Sequence, residues 1–356
     1  MSRMMVMAGG TGGHVMPALA VARCLRERGV EVRWMGSTRG FESRLVAAEG
    51  FDLDAIHILG LRHSGLGRKL IMPFLLLVAC SQALLILLRR KPDVLLGMGG
   101  FVSGPGGLVA GLLSKPLVLH EQTAVAGLTN RWLARVASRV LTGFPATEGL
   151  AAGTWVGNPV RSDIAAIDSP LQRLAGRAGP FRILVVGGSQ GARAFNSHLP
   201  DLLARRPRIP MSVRHQAGHG DSANVRAAYE DAGIPAEVSE FIEDMAAAYT
   251  WSDVVICRAG AMTVAEICAA GGVAFFVPYP HAVNDHQTCN AEYLTGAGAA
   301  FTIPQEEFLA GDWLEDLDAL ASDRRRLVAM AEKARSLAKA DAAERVADIC
   351  GEMVHA

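Results

Sequence analysis

The sequence predicts an α/β protein built from two Rossmann-like halves, and three observations lead there. Short runs of β-branched or aliphatic residues alternate with helical patterns along most of the chain, as parallel βαβ units require. The alternation occurs twice, and each series opens on the same phrase. "RMMVMAGGTGGHVMPALA" from Arg3 and "FRILVVGGSQGARAFNS" from Phe181 both read as a strand, a glycine turn and a helix. Length agrees, because 356 residues suit about two domains and half of them are hydrophobic, ample for two cores.

Taken in order, the first series runs "RMMVMAGG" and helix "MPALAVARCLRERG", then "VEVRWMG" and helix "FESRLVAAEG", then "DVLLGMGG", "PLVLHE" and "RVLTGF". A break near "VGNPVRSD", followed by the Pro- and Gly-containing "DSPLQRLAGRAGP", marks a linker. This places one domain at 1–162 and the next at 163–340. The second series contains "FRILVVGG", "MSVRHQAG", "AEVSEF", "DVVICRAG" and "VAFFVPYP", with helices between. After Pro304 the tail reads as helices, the last at 341–356, and pattern alone does not say which domain it packs on.

Between the second and third strands of the first series lies "RKLIMPFLLLVACSQALLILLRRK", with nineteen consecutive uncharged residues from Leu70 to Leu88. Such a run is long enough to cross a bilayer. A single crossing, however, would put "DVLLGMGG" on the side opposite "RMMVMAGG", and one parallel sheet could not hold both. The helix is therefore expected to pack back on the sheet, with Pro73 in its first turn and Leu75, Leu76 and Leu84 facing outward as a monotopic membrane seat. From Ala55 to Pro92 there are six Lys and Arg residues and no acid. That fits an anionic membrane surface or a plain solvated basic face. With 35 basic and 35 acidic residues overall, nothing favours nucleic acid as a partner. The six cysteines have no metal-ligand spacing and no leader pattern precedes the first strand, which predicts a reduced, cytoplasmic protein.

The glycine loops carry the chemistry. In "GGTGGH", Gly9 to His14, glycines let an anion approach the amides of the next helix, or simply close a strand-to-helix turn. A dinucleotide fingerprint would need a small residue where Val15 stands and an acid ending the second strand, and a Walker loop would need GK[ST]. All are missing, which argues against a nicotinamide or flavin cofactor and against an ATPase. "GMGGFVSGPGG", Gly97 to Gly107, follows a strand end and reads as a second phosphate-binding surface or a mobile loop. In "CRAGAMTVAEICAAG", Cys257 to Gly271, small residues clear space at a strand end and the helix aims its amides at a phosphate. Glu266 has two readings, the acid of a Thr263–Glu266 capping box or an acceptor for a ribose diol. "DLD" occurs at Asp52 to Asp54 and Asp316 to Asp318, neither after a strand at a ligand-binding edge. No protein-held metal is expected, with Mg²⁺ only accompanying diphosphates.

"GGTGGH", "GMGGFVSGPGG", "HEQ" followed by "AGLTN", "GNPVR", "GGSQGA", "EFIEDMAAAYTWSDVVICRAGAMTVAE" and "DHQTCNA" together resemble, in order and spacing, the MurG family. Its members are UDP-N-acetylglucosamine transferases that convert lipid I to lipid II in peptidoglycan synthesis. The resemblance covers essentially the whole chain. It implies a glycosyltransferase-B fold of two Rossmann-like domains facing a cleft, the acceptor on the first and UDP-GlcNAc on the second, with the C-terminal helix returning to the first. It implies sugar-nucleotide contacts from Thr11, Gly12, Gly13, Thr123, Arg161, Ser189, Ile242, Ala261, Met262, Thr263, Val264, Ala265, Glu266 and Gln287. Acceptor diphosphate would meet Gly99, Gly100, Ser103 and Gly104. Two positions depart from the family pattern. Thr123 stands where Asn is common, losing an amide, and Phe101 stands where some members have Tyr.

The implied reaction is an inverting transfer, in which the muramic acid hydroxyl of lipid I attacks the anomeric carbon and UDP leaves. His14 is the leading candidate base, against a role in ordering the loop or binding acceptor phosphate, and Glu121 is the other candidate. Another UDP-sugar enzyme of the same fold, an epimerase or glycolipid synthase, is the alternative. The resemblance further implies a peripheral protein on the cytoplasmic face of the bacterial inner membrane, with roles in cell shape and division and contacts to other cell-wall synthesis and division proteins.

Overall fold

The computed structural model describes residues 2–38, 40–58, 66–188, 191–205 and 209–355. Contacts divide the chain into two compact units, Met1–Arg161 with Lys339–Ala356, and Ser162–Ala338.

In the first unit, β1 (Arg3–Met7), β2 (Glu31–Ser37), β3 (Asp52–Ile56), β4 (Val94–Gly97), β5 (Leu117–Glu121), β6 (Arg139–Thr142) and β7 (Thr154–Trp155) form one sheet. All neighbours are parallel, in the order β3-β2-β1-β4-β5-β6-β7. The connecting helices are α1 (Gly12–Glu27), α2 (Phe41–Ala48), α3 (Leu66–Arg90), α4 (Ser103–Leu112) and α5 (Leu128–Leu133). Successive side chains of a strand point to opposite faces, so β1 serves two cores. Met4 and Val6 join α1 and the C-terminal helix Ala342–His355, while Met5 and Met7 join α3 and α4. Strands buried on both faces are apolar throughout, which is why β1 and β4 read as unbroken runs.

The helix α3 leaves β3 and enters β4, and both strands belong to the same sheet. A single membrane crossing is incompatible with that connection. Pro73 lies well inside α3, not in its first turn, because the helix already begins at Leu66. Among residues 72–90, only Ala79, Ala83 and Leu87 are buried. The expected outward set is partly corrected. Leu76 and Leu84 are exposed, Leu75 is half-buried, and Phe74, Leu77, Leu85 and Leu88 are the more exposed side chains.

The second unit begins with α6 (Ser162–Ala165) and α7 (Pro170–Leu174), then β8 (Phe181–Val186), α8 (Arg193–Ala204), β9 (Met211–Gln216), α9 (Ser222–Asp231) and β10 (Ala236–Ser239). It continues through α10 (Met245–Trp251), β11 (Val254–Cys257), α11 (Ala261–Ala270), β12 (Val273–Phe276), α12 (His286–Thr295) and β13 (Ala300–Thr302). The helices α13 (Gln305–Ala310), α14 (Leu314–Ser322) and α15 (Arg324–Ser336) close it. Its sheet is parallel, in the order β10-β9-β8-β11-β12-β13. The segment expected as linker, "DSPLQRLAGRAGP", is instead an ordered part of this unit. Ser169 and Gln172 form a capping box at the start of α7. Arg173 donates to the carbonyls of Ala270 (2.7 Å) and Gly271 (3.0 Å), and burial pushes its pKa down to about 10.

Candidate functional site

In each sheet the strand order reverses at one place, between β1 and β4 in the first unit and between β8 and β11 in the second. Connections there leave in opposite directions and open a crevice at the strand C-termini. The glycine loops of the sequence fall at these two places.

In the first unit the loops after β1 and β4 meet backbone to backbone. Gly100, at φ +79°, would drive a Cβ into the Gly9 carbonyl, so no larger residue fits. An acid does stand at the end of β2, supplied by α2 and not by the strand. The fully buried Glu42 accepts hydrogen bonds from Ser37 N–H (2.9 Å), Ser37 O–H (2.7 Å) and Gly10 N–H (3.2 Å). An internal carboxylate thus holds an amide of the first loop. Thr11 is exposed and precedes α1, its side chain capping no amide among the described residues, and Gly12 and Gly13 form the first helical positions. That leaves an uncapped helix N-terminus facing outward.

The half-buried His14 follows, with its Nδ1 3.3 Å from Gln122 Oε1. Gln122 Nε2 donates to Met98 O at 2.9 Å, so this side chain bridges the loop after β4 and the imidazole. Gly99 lies against the same ring, and a Cβ there would come within 2.8 Å of His14 Nδ1. The structure therefore gathers His14, Gly99 and Gln122 from three segments. Sequence reasoning missed Gln122 as a participant, although it sits inside the quoted "HEQ".

Three expectations in this unit meet a different geometry. Glu121 is buried, and its carboxylate accepts from Thr123 N–H (3.0 Å), Gly127 N–H (3.0 Å) and Asn130 Nδ2 (2.9 Å), with the Thr123 hydroxyl 2.8 Å away. Both carboxylate oxygens are engaged by its own loop, which makes Glu121 a clasp for that loop in this structure. Thr123 turns inward with it, its hydroxyl 2.6 Å from Val125 O as well, so that hydroxyl is not presented to a nucleotide. Ser103 is fully buried with its hydroxyl 2.8 Å from both Met7 O and Gly99 O, which ties the loop after β4 to β1 instead of facing a diphosphate. Gly104 is half-buried in the first turn of α4. His120, the remaining titratable group here, donates Nε2–H to Gly157 O (2.8 Å), and burial pushes its pKa down to about 4.

In the second unit Gly260 precedes α11 in extended backbone and makes no side-chain cap, so the amides of Ala261, Met262 and Thr263 open the helix. The capping-box reading of Thr263 and Glu266 is overturned, because Thr263 lies inside the helix. Glu266 instead accepts a hydrogen bond at Oε2 from the buried Tyr249 hydroxyl, 3.1 Å away. Val264 is also corrected. Its side chain is fully buried and its amide bonds Gly260 O, leaving neither for a ligand. Asn290 on α12 is fully buried and donates to Ala259 O (3.1 Å), fixing the turn into α11. Gln287 accepts Tyr279 N–H (2.8 Å) at Oε1, which leaves its NH₂ group to offer a ligand. Ile242 is half-buried next to the exposed ring of Phe241. Arg161 is half-buried where the chain leaves the first unit for the second. Ser189 lies outside the described residues.

The carboxylates of the first "DLD", Asp52 and Asp54, are engaged otherwise. Asp54 binds Arg33 and Arg90, and Asp52 binds Arg33. Among the described residues no three His, Cys, Asp or Glu side chains are placed to hold a metal ion.

Residues 4–142 match the glycosyltransferase family 28 N-terminal domain and residues 182–346 its C-terminal domain. The UDP-N-acetylglucosamine--N-acetylmuramyl-(pentapeptide) pyrophosphoryl-undecaprenol N-acetylglucosamine transferase of Marinobacter nauticus is 53% identical over 352 residues, covering 98% of this chain and 97% of the relative. The same-named protein of Bordetella petrii is 53% identical over 347 residues, covering 97% and 96%. Among solved structures, Acinetobacter baumannii MurG superposes with a TM-score of 0.86 at 40% identity, covering 99% of this chain and all of that one.

Proposed function

The chain belongs to the MurG family of glycosyltransferases, and from that membership we infer that it moves GlcNAc from UDP-GlcNAc to the muramic acid of lipid I, with inversion, giving lipid II and UDP. The observation that carries this reading is the near-full-length relationship at 53% identity to transferases of that name. The site is consistent with it. An uncapped N-terminus of α11 suits a diphosphate, and Glu266 beside it suits a ribose diol.

In this reading the second unit holds the donor. The first-turn amides at Ala261 to Thr263 stabilise charge developing on UDP as the glycosidic bond breaks. Gln287, Ile242 and Ser189 complete the donor contacts, the last two through uracil and the phosphate loop. The first unit holds the acceptor, with the loop at Gly99, Gly100 and Gly104 near its diphosphate. His14 takes the proton of the attacking hydroxyl, which becomes the new glycosidic oxygen as UDP departs. The exposed apolar face of α3 on the first unit supports peripheral membrane association, and in this reading the enzyme works at the cytoplasmic surface where lipid I presents its sugar.

Transfer of labelled GlcNAc to a short-chain lipid I analogue tests the reaction. UDP release that depends on the analogue is expected, and UDP release or sugar epimerisation without it would reject lipid I as acceptor. His14→Ala is expected to lose turnover about 10²- to 10⁴-fold while UDP-GlcNAc binding changes little, since a base acts in the transition state. Turnover near wild type would remove His14 from that role.

A further inference from the structure

We propose that Gln122 is a positioning residue that holds His14 in the Nδ1–H tautomer, so that Nε2 carries the lone pair used on the acceptor hydroxyl. Two hydrogen bonds make the assignment. A backbone carbonyl only accepts, so the end of the Gln122 amide 2.9 Å from Met98 O must be the NH₂ group. The other end is then the carbonyl oxygen, which also only accepts, and the ring nitrogen 3.3 Å away must bear the hydrogen.

The surroundings leave Gln122 little freedom to exchange its ends. It is 1% exposed. Its own carbonyl accepts from the buried Asn158 Nδ2 at 3.0 Å, which pins the backbone. At the same Nδ1 edge of the imidazole, Gly99 at φ +87° gives room for the ring and the Gln122 oxygen where a side chain would collide. The arrangement has the logic of a base oriented by a third group, but the orienter here is a neutral amide in place of a carboxylate. An amide fixes tautomer and direction without placing a negative charge beside the imidazolium.

The inference rests on His14 being the base, and the test separates the two ideas. Gln122→Met removes both the tether to Met98 and the acceptor for His14. Gln122→Glu removes the tether but keeps an acceptor. Imidazole ¹⁵N spectra read the tautomer directly, and steady-state rates with the short-chain acceptor read its use. The wild type is expected to show a neutral ring protonated at Nδ1. In Q122M that preference disappears and kcat falls by about tenfold or more, with KM for UDP-GlcNAc within about twofold. In Q122E the Nδ1–H form persists and kcat exceeds that of Q122M. Equal losses in both variants with an unchanged tautomer would show a loop tether only and overturn the proposal, as would a tautomer that shifts without loss of kcat. If Q122M does not fold, the wild-type spectrum still decides, because a ring protonated at Nε2 overturns it. An active His14→Ala variant would reject the base while leaving the spectroscopic result standing.

Discussion

Thr263 and Glu266 stand three apart, as a capping box requires, yet α11 begins at Ala261 and the pattern falls a half-turn inside the helix. The same pattern is real at Ser169 and Gln172, where it was hidden in a stretch that read as linker. Local spacing cannot say where a helix starts, and the start decides whether a side chain caps or faces a ligand. At Glu266 the consequence is testable. Tyr249 donates to Oε2 of this carboxylate on α11, and Glu266→Ala is expected to weaken UDP-GlcNAc binding by about 1–3 kcal/mol in calorimetry. Tyr249→Phe removes the hydroxyl that orients Glu266 and is expected to weaken it by about 0.5–1.5 kcal/mol. A fall in thermal stability with donor affinity intact would return Glu266 to a structural role. The His14 cluster was illegible for a different reason. His14 and Gln122 are 108 positions apart, and only the fold brings them together. The glycines at φ > 0 were legible because one residue type fits such backbone.

Among the elements, the central strands announced themselves and two edge strands did not. The edge strands β7 and β13 are short and only partly buried, so their sequences lack a continuous apolar run, whereas the run around β3 read as strand-like. In β3 the run is broken by Asp52 and Asp54, whose purpose is visible only with the sheet assembled. Asp54 accepts from Arg33 Nε on β2 (2.9 Å) and from Arg90 Nε (3.0 Å) and NH2 (2.8 Å) at the end of α3. It pins the long helix to the sheet edge. Burial alone would raise the Asp54 carboxyl, but the two guanidiniums outweigh it and the net shift is downward. A depressed carboxyl contributes stability that is full above its unfolded value, near 3.9, and is lost as pH falls through the lower folded one. Asp54→Asn is therefore expected to cost about 1–3 kcal/mol at pH 7 in urea unfolding, with the gap to wild type closing as pH falls below about 4. A gap that stays constant with pH would mean that shape, not charge, holds this corner.

At the scale of the whole molecule, composition is neutral and the distinctive surface belongs to one helix. Ala79, Ala83 and Leu87 recur every four residues and are buried, while Phe74, Leu77, Leu85 and Leu88 form a stripe on the opposite face, exposed by 65%, 64%, 67% and 51%. Leu75 lies on the flank between them, which is why an outward guess from sequence failed there. A soluble surface helix would turn polar residues to that face. On the same side of the sheet Leu112, Leu128 and Trp132 are also exposed, at 76%, 72% and 61%, and Arg135 lies over the Trp132 ring at 4.4 Å. Apolar rings and chains beside exposed cations such as Arg89 and Lys91 are what an interfacial seat on anionic lipid needs. The protein is therefore expected to sediment with vesicles containing anionic lipid, less with zwitterionic ones, and to be released substantially by high salt. Replacing Phe74, Leu77 and Leu85 by Ser removes side chains worth roughly 1.5–3 kcal/mol each when fully buried, so vesicle partitioning is expected to fall on the order of a hundredfold or more. Because those side chains do not contribute to the core, cooperative unfolding and transfer to a soluble acceptor analogue are expected to persist. Unchanged sedimentation of the triple variant would move the seat elsewhere. Protease protection placing Lys69 and Arg90 on opposite sides of a sealed membrane would contradict the parallel pairing of β1 with β4, and with it the fold itself.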